Sequence, residues 1–435
     1  MEFIIFLTEA NHYNFAIEPN TIIGNCNKSD NIIDERRFFY YGVDFVYLGK
    51  LYEIISENVT EFRRTSYGNI KYKLVDIIWL VFVCVFAGCT NVKEMYFYAI
   101  DNIAFFRLVT PLENGVPSYY TFLRILSRVD PQQIAACREK WLDLLPILPF
   151  EDLLKPPPLN GRPMTVLAQD GKKINGSGCK IQGQKSVYVV TLVNSCSGRV
   201  IYEVTVDSKT NETTANPRLI RLVGKIENTV ITFDAMGCHK ELIHIITMLG
   251  GHITVQIKAN KGRLFDEIKA AFEYRFKKDE LFSHKHSRHY FVNRSVIYTN
   301  DMEYFKNLKA LGDIKSVACV ICEGYRDGSI FYERHYYINT YDDKDLFLFC
   351  ISKHWSAIET GVHRYLDNDF GEDKCKVRTG NAPFVLNIIR KASISLNKRA
   401  LMNPDNKRLS MKTILCKIHR DFGVIESIAS TGTLS

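Results

Sequence analysis

The spacing of apolar positions changes character near residue 160. Between about residues 70 and 147, Leu74, Ile77, Ile78, Val81 and Val85 recur at helical spacing, and a second series runs through Tyr120, Leu123, Ile125 and Leu126. Pro111 and Gly115-Val116-Pro117-Ser118 separate these helices, with Ser118 placed to cap the second. Lys155-Pro156-Pro157-Pro158 then reads as a linker and a domain boundary. Beyond it, residues 164–168 read as a buried strand closing at Asp170-Gly171. Residues 186–193 and 200–206 are β-branched runs joined by the turn residues 195–198, a hairpin pattern. A short helix follows, with Asn216 as cap and Pro217 at its first position. Residues 229–233 form a fourth strand closing at Asp234, residues 238–249 a helix ending at Gly250-Gly251, and residues 253–257 a fifth strand.

Three strands joined by tight turns, then two crossovers through helices, predict an α/β fold with a mixed sheet flanked by helices. Residues 262 to about 335 are less regular: a basic helix through Lys269, Arg275, Lys277 and Lys278, the run Lys285-His286-Ser287-Arg288-His289, and a strand over 290–298. A helix resumes over 345–366, another carries Val385, Ile388, Ile389, Arg390 and Lys391, and the end reads as a weakly structured tail. The domain plan is an unassigned segment over 1–65, a helical domain over 66–155, an α/β domain over 160–400 with an insertion over about 262–340, and a tail over 401–435.

Composition narrows the classes. At 435 residues the chain has room for two or three domains of about 150 residues. Its 46% hydrophobic and 24% charged content argues against extended disorder. The N-terminus has Glu2 and no basic stretch before its apolar run, so it does not read as a secretory signal. Residues 77–87 are fewer than the roughly 20 apolar residues that cross a bilayer. No membrane partner is expected. Twelve scattered cysteines suit reduced thiols in an intracellular protein, in cytoplasm, nucleoid or nucleus according to the host. Cys319 and Cys322 form a C-x-x-C pair without a second pair at zinc-finger spacing. The 56 basic and 48 acidic side chains leave +8, compatible with a polyanion.

The candidate chemistry lies in Asp170 and Asp234, each closing a hydrophobic strand and followed by a small residue. Singly, each is an ordinary turn aspartate. If strands one and four are neighbours, the two carboxylates meet at one edge, where a hard divalent ion would relieve their repulsion. Lys172, Lys173, Lys180 and Lys185 follow the first acid, and Lys258, Lys261 and Arg263 follow the fifth strand. Those near the carboxylates, Lys172, Lys173, Lys258, Lys261 and Arg263, are candidates for phosphate contact; a solvated basic face is the alternative.

Several blocks in order resemble the H-repeat-associated insertion-sequence transposases, a DDE family. They are Glu113-Asn114-Gly115-Val116-Pro117, Asp170-Gly171-Lys172 with Gly176-Ser177, the stretch 207–212, Thr232-Phe233-Asp234-Ala235-Met236-Gly237-Cys238, and Lys258-Ala259-Asn260-Lys261-Gly262. His354-Trp355, Glu359, His363, Leu366-Asp367, Glu372-Asp373 and Arg378-Thr379-Gly380-Asn381-Ala382 continue the match, so it covers roughly residues 70 to 430. The resemblance implies a ribonuclease H-like catalytic domain with an insertion before its last catalytic helix. It also implies a third acid on that helix, for which Glu359 is the candidate and Glu372 the fallback. Asp170, Asp234 and Glu359 would then hold two Mg²⁺ or Mn²⁺ ions and catalyse cleavage and transfer of DNA strands. The implied partners are transposon ends and target DNA, with a homo-oligomer forming on DNA. A domesticated DNA-binding descendant and a metal-dependent nuclease are the alternatives. Trp355 and His363 flank Glu359 at i−4 and i+4 and would share its helix face. Three residues separate Trp355 from Glu359 where the family usually has two, so a local bulge is expected to bring the carboxylate round.

Overall fold

The computed structural model describes residues 39–434 except 41–42, 65–67, 69, 152–153, 207–211, 236–237, 275–279, 287–290, 327 and 407. Most of the 1–65 segment, the 207–211 part of the family-like stretch, Met236, Gly237, Arg275, Lys277, Lys278 and Ser287-Arg288-His289 therefore lie outside the described residues.

The longer helices described before the triple proline are α1 (Val46–Asn58), α2 (Leu74–Phe86), α3 (Val92–Asp101), α4 (Tyr119–Leu126) and α5 (Pro131–Asp143), with a single helical turn at Ile103–Phe106. Ser118 caps α4 through its side chain, and Asp130 with Pro131 starts α5 by the same chemistry. The apolar helix α2 is buried almost all round, as a helix without a polar face must be. No helix among the described residues is long and apolar enough to cross a membrane.

The sheet begins with β1 (Thr165–Lys173), β2 (Tyr188–Asn194) and β3 (Val200–Val206), antiparallel neighbours; a tight turn joins β2 to β3, whereas residues 174–187, with a 3-10 turn at Asn175–Ser177, join β1 to β2. Helix α6 (Glu212–Val223) leads to β4 (Thr229–Phe233), and α7 (Lys240–Met248) leads to β5 (His252–Ile257). β4 lies parallel to β1 and β5 parallel to β4, giving the order β3-β2-β1-β4-β5. This is the ribonuclease H-like arrangement. Helix α6 starts four residues before Asn216 and runs through Pro217, which forfeits one backbone bond without ending the helix.

The region that reads as irregular is more ordered than its pattern suggests. After α8 (Arg263–Tyr274) come β6 (Glu280–His286), β7 (Phe291–Thr299), β8 (Ser316–Arg326) and β9 (Ser329–Asn339). They extend the same sheet in the order β9-β8-β7-β6, with β9 antiparallel to β5. β6 with β7 and β8 with β9 pair as sequence neighbours, whereas the pairing of β9 with β5 spans about 80 residues and has no local signal. Cys319 and Cys322, three apart on β8, fall in cores on opposite faces of the sheet. They do not form a metal pair.

One sheet face is covered by α6, α7 and α8. The other carries α9 (Lys344–His354), a π-helical turn (Trp355–His363), α10 (Arg364–Asn368) and α11 (Ala382–Met402). The expected tail is instead helical: α12 (Met411–Arg420) and α13 (Gly423–Thr431) bury Ile414, Ile418, Ile425 and Ile428 against α11 and the first helices. Helix α11 runs through the middle of this layer and is buried over most of its length, including Asn387, Arg390, Lys391 and Lys398. Buried polar groups need partners. Lys391 Nζ donates to Thr191 Oγ1 at 2.8 Å and to Glu203 Oε2 at 3.0 Å, and Arg138 of α5 pairs with the other Glu203 oxygen. These bonds tie the first helices and α11 to the sheet.

Candidate active site at the ends of β1 and β4

Register brings the two sequence-predicted aspartates together. Ala168 of β1 stands opposite Thr232 of β4, so Asp170 and Asp234 each lie two residues further along parallel neighbours. Neighbouring strands are about 4.8 Å apart, which sets the two carboxylates side by side at one sheet edge. Asp170 is 22% and Asp234 36% exposed at the side chain, so both reach solvent without standing clear of the protein.

Each acid has a basic neighbour. His363 Nδ1 is 3.5 Å from Asp170 Oδ2, and Asp170 Oδ1 accepts the Gly171 N–H at 2.8 Å. Burial, with Lys391 and Lys172 adding to it, pushes His363 down to about 3. Burial thus disfavours the charged imidazole, and His363 lies beside Asp170 as a neutral neighbour and not as a counter-ion. Lys258 Nζ is 3.7 Å from Asp234 Oδ2. Beside it, His354 Nδ1 lies 2.7 Å from Thr232 Oγ1. Burial holds His354 down to about 4 although Asp234 pulls the other way. Two neutral histidines thus brace the strands that carry the acids. In sequence these histidines are only members of motif blocks; which strand each one braces is a tertiary fact.

The basic residues divide. Lys173, Lys258 and Arg263 are exposed, whereas Lys261 donates to the Cys238 carbonyl at 2.8 Å. Lys172 is turned inward, against the expectation of a phosphate contact. Strand alternation puts it on the Asp170 face, where Nζ lies 2.7 Å from Asp367, 3.4 Å from Asp373 and 3.5 Å from Glu372. Burial opposes its charge, but the three carboxylates outweigh burial and raise its pKa.

Glu372 cannot serve as the third acid. It is fully buried, and its Oε1 accepts from Asn387 at 2.8 Å and Arg390 at 3.4 Å. Glu359 stands on the π turn, exposed, four residues before His363. The expected bulge is present: the Arg364 N–H reaches the Glu359 carbonyl, five residues back. The wider winding leaves residues four apart short of a full turn, so Trp355 and Glu359 face solvent while His363 turns inward. The three do not share one environment.

Paired carboxylates on adjacent strands suit a hard divalent ion in donor type. Among the described residues, however, no three His, Cys, Asp or Glu side chains are gathered closely enough to hold one. The register sets Asp170 and Asp234 at matching positions on neighbouring strands, and Glu359 stands exposed on the π turn.

Comparison with known proteins agrees with these motifs. Residues 57–142 match the family model described as DDE_Tnp_1-associated. Over 407 residues the chain is 26% identical to the "H repeat-associated putative transposase YhhI" of Escherichia coli K12, covering 89% of this chain and all of that one. It is 28% identical to the "Putative transposase YncI" of Escherichia coli O157:H7 over 76% of this chain and 83% of that one. Among solved structures, a piggyBac transposase in a synaptic complex with hairpin DNA aligns with 88% of this chain and 80% of its own, at 11% identity and a TM-score of 0.40. The ordered motif blocks, the matched helical segment and near full-length relatives together make this chain similar to the H repeat-associated transposases.

Proposed function

We propose that the protein binds DNA and cuts and joins its strands at the edge formed by β1 and β4. The observation that carries the reading is the register that sets Asp170 level with Asp234 on neighbouring parallel strands. In this reading Asp170 and Asp234 hold the Mg²⁺ or Mn²⁺ ions, and Glu359 is the third acid, presented by the π turn. Bound divalent metal supplies the Lewis acid that activates a water or 3′-hydroxyl and stabilises the leaving oxygen. The chain's own part is positional: His363 orients Asp170, His354 braces the end of β4, and Lys258 partners Asp234 until a cation takes its place. Lys173, Lys258 and Arg263 are the phosphate contacts in this reading; Lys172 has an internal role. DNA ends and target DNA are the partners, with oligomer formation on the DNA.

The test is strand cleavage and joining on the element's own terminal repeats with Mg²⁺ or Mn²⁺. The wild type should cut and join, and Asp170→Asn, Asp234→Asn and Glu359→Gln should each abolish both steps while DNA binding persists. Cutting without joining would make it a nuclease. DNA binding without cutting would favour the domesticated descendant.

A further inference from the structure

A π turn is a strained choice for a helix, and this one carries Glu359 and His363. Its surroundings show what holds it. Lys398 projects from the middle of α11, is only 8% exposed, and donates to backbone carbonyls and not to a carboxylate. Its Nζ donates to the Gly198 carbonyl at 3.1 Å, in the turn between β2 and β3, and to the Ala357 carbonyl at 3.5 Å, inside the π turn.

Two glycines make the slot for this amine. A Cβ at Gly361 would meet the Ser356 carbonyl and come within 3.0 Å of Lys398 Nζ, and a Cβ at Gly198 would strike Nζ directly. Gly198 also needs its glycine for a φ of +67°. Burying an amine among carbonyls is costly, and burial alone pushes Lys398 down to about 7. An apolar residue would fill this space more cheaply if packing were the only demand. The amine is used because it can grip carbonyls on two elements at once.

We propose that Lys398 is a positioning residue, whose amine clamps the π turn to the β2–β3 turn and so sets where Glu359 and His363 stand against β1. That Glu359 takes part in chemistry rests on the function proposed above; the clamp does not.

The two ideas can be tested separately because the chain has three tryptophans, of which Trp79 and Trp141 are fully buried and Trp355, the first residue of the π turn, is 62% exposed. Acrylamide quenching of the intrinsic fluorescence therefore reports chiefly on the π turn. Lys398→Met should still unfold cooperatively, since removal of a buried unpaired cation offsets two lost hydrogen bonds. It should change the accessible fraction of Trp355 fluorescence and lower strand cleavage about a hundredfold, the size expected when a catalytic group is displaced by roughly 1 Å. Gly198→Ala, whose Cβ strikes the amine from the β2–β3 turn without touching the π turn itself, should give the same fluorescence change. It decides the matter even if the Met variant does not fold.

Wild-type quenching in both variants would overturn the clamp, as would a loss of activity that only follows a loss of stability. A fluorescence change in both variants together with a wild type unable to cleave DNA would leave the clamp standing and reject the catalytic reading.

Discussion

Asp170 and Glu203 occupy one row of the same sheet face, with Thr191 paired to both across β2. They have opposite fates. Glu203 is 1% exposed and locked between Arg138 and Lys391. Burial alone would raise its carboxyl, but the two cations outweigh burial and hold it below the ordinary carboxylate range. Asp170 is partly open, faces a neutral histidine, and has a second carboxylate on the next strand. A carboxylate saturated with buried cations is a structural tie. Two carboxylates side by side at an edge that solvent reaches suit a cation, which is the role proposed for them above. Exposure and the sign of the neighbours separate the roles, since the side-chain chemistry is the same.

The sharpest contrast is in stability. Glu203→Gln leaves Arg138 and Lys391 buried without their anion and should cost about 3–5 kcal/mol in urea unfolding. Asp170→Asn removes one of two facing carboxylates and should change stability by less than about 1 kcal/mol. Equal losses would erase the distinction between tie and site.

Divalent metal should reverse the ranking. Mn²⁺ at a hundred times its dissociation constant should stabilise the wild type by about 2.7 kcal/mol through mass action. Thermal unfolding should show that shift in Glu203→Gln scaffolds that still fold, and lose it in the Asp170→Asn, Asp234→Asn double variant. A shift that survives in the double variant would move the metal elsewhere.

Acid gives a third test. Because the Glu203 carboxyl lies below its unfolded value, the stability it contributes is present above roughly pH 4.3 and is lost as pH falls through the folded value. The gap in unfolding free energy between wild type and Glu203→Gln should therefore shrink on acidification below about pH 4. A gap that is constant with pH would mean that Glu203 acts through shape and not through charge.

The smallest expected effect concerns the basic residues. Duplex DNA affinity should fall with salt, and each phosphate-contacting residue that is removed should lower the log–log slope by about 0.9. Arg263→Ala and Lys173→Ala should each do so, and Lys172→Met should not, because Lys172 is spent on Asp367, Asp373 and Glu372. A changed slope for Lys172→Met would show that it leaves the acid cluster to meet DNA.

What could be read without coordinates was whatever rests on local rhythm. The strands β1, β2 and β3, the crossovers to β4 and β5, the cap at Ser118 and the position of Asp234 just after β4 all follow from short-range patterns, whereas β1 runs three residues past Asp170, where the local pattern places its end. The extra residue before Glu359 also announced its bulge, because a helix has few ways to absorb one residue. Tertiary structure decided everything that depends on which surfaces meet. It carried β6 to β9 onto the edge of the same sheet and packed α12 and α13 into the first helices. It turned Lys172 and Glu372 inward, and set Lys398 under the π turn. A lysine in a helix looks the same in sequence whether its amine meets water, a phosphate or a buried carbonyl. Only the packing around α11 and the face of β1 determines which of these it meets, because desolvation and partner charge belong to the assembled surroundings and not to the residue.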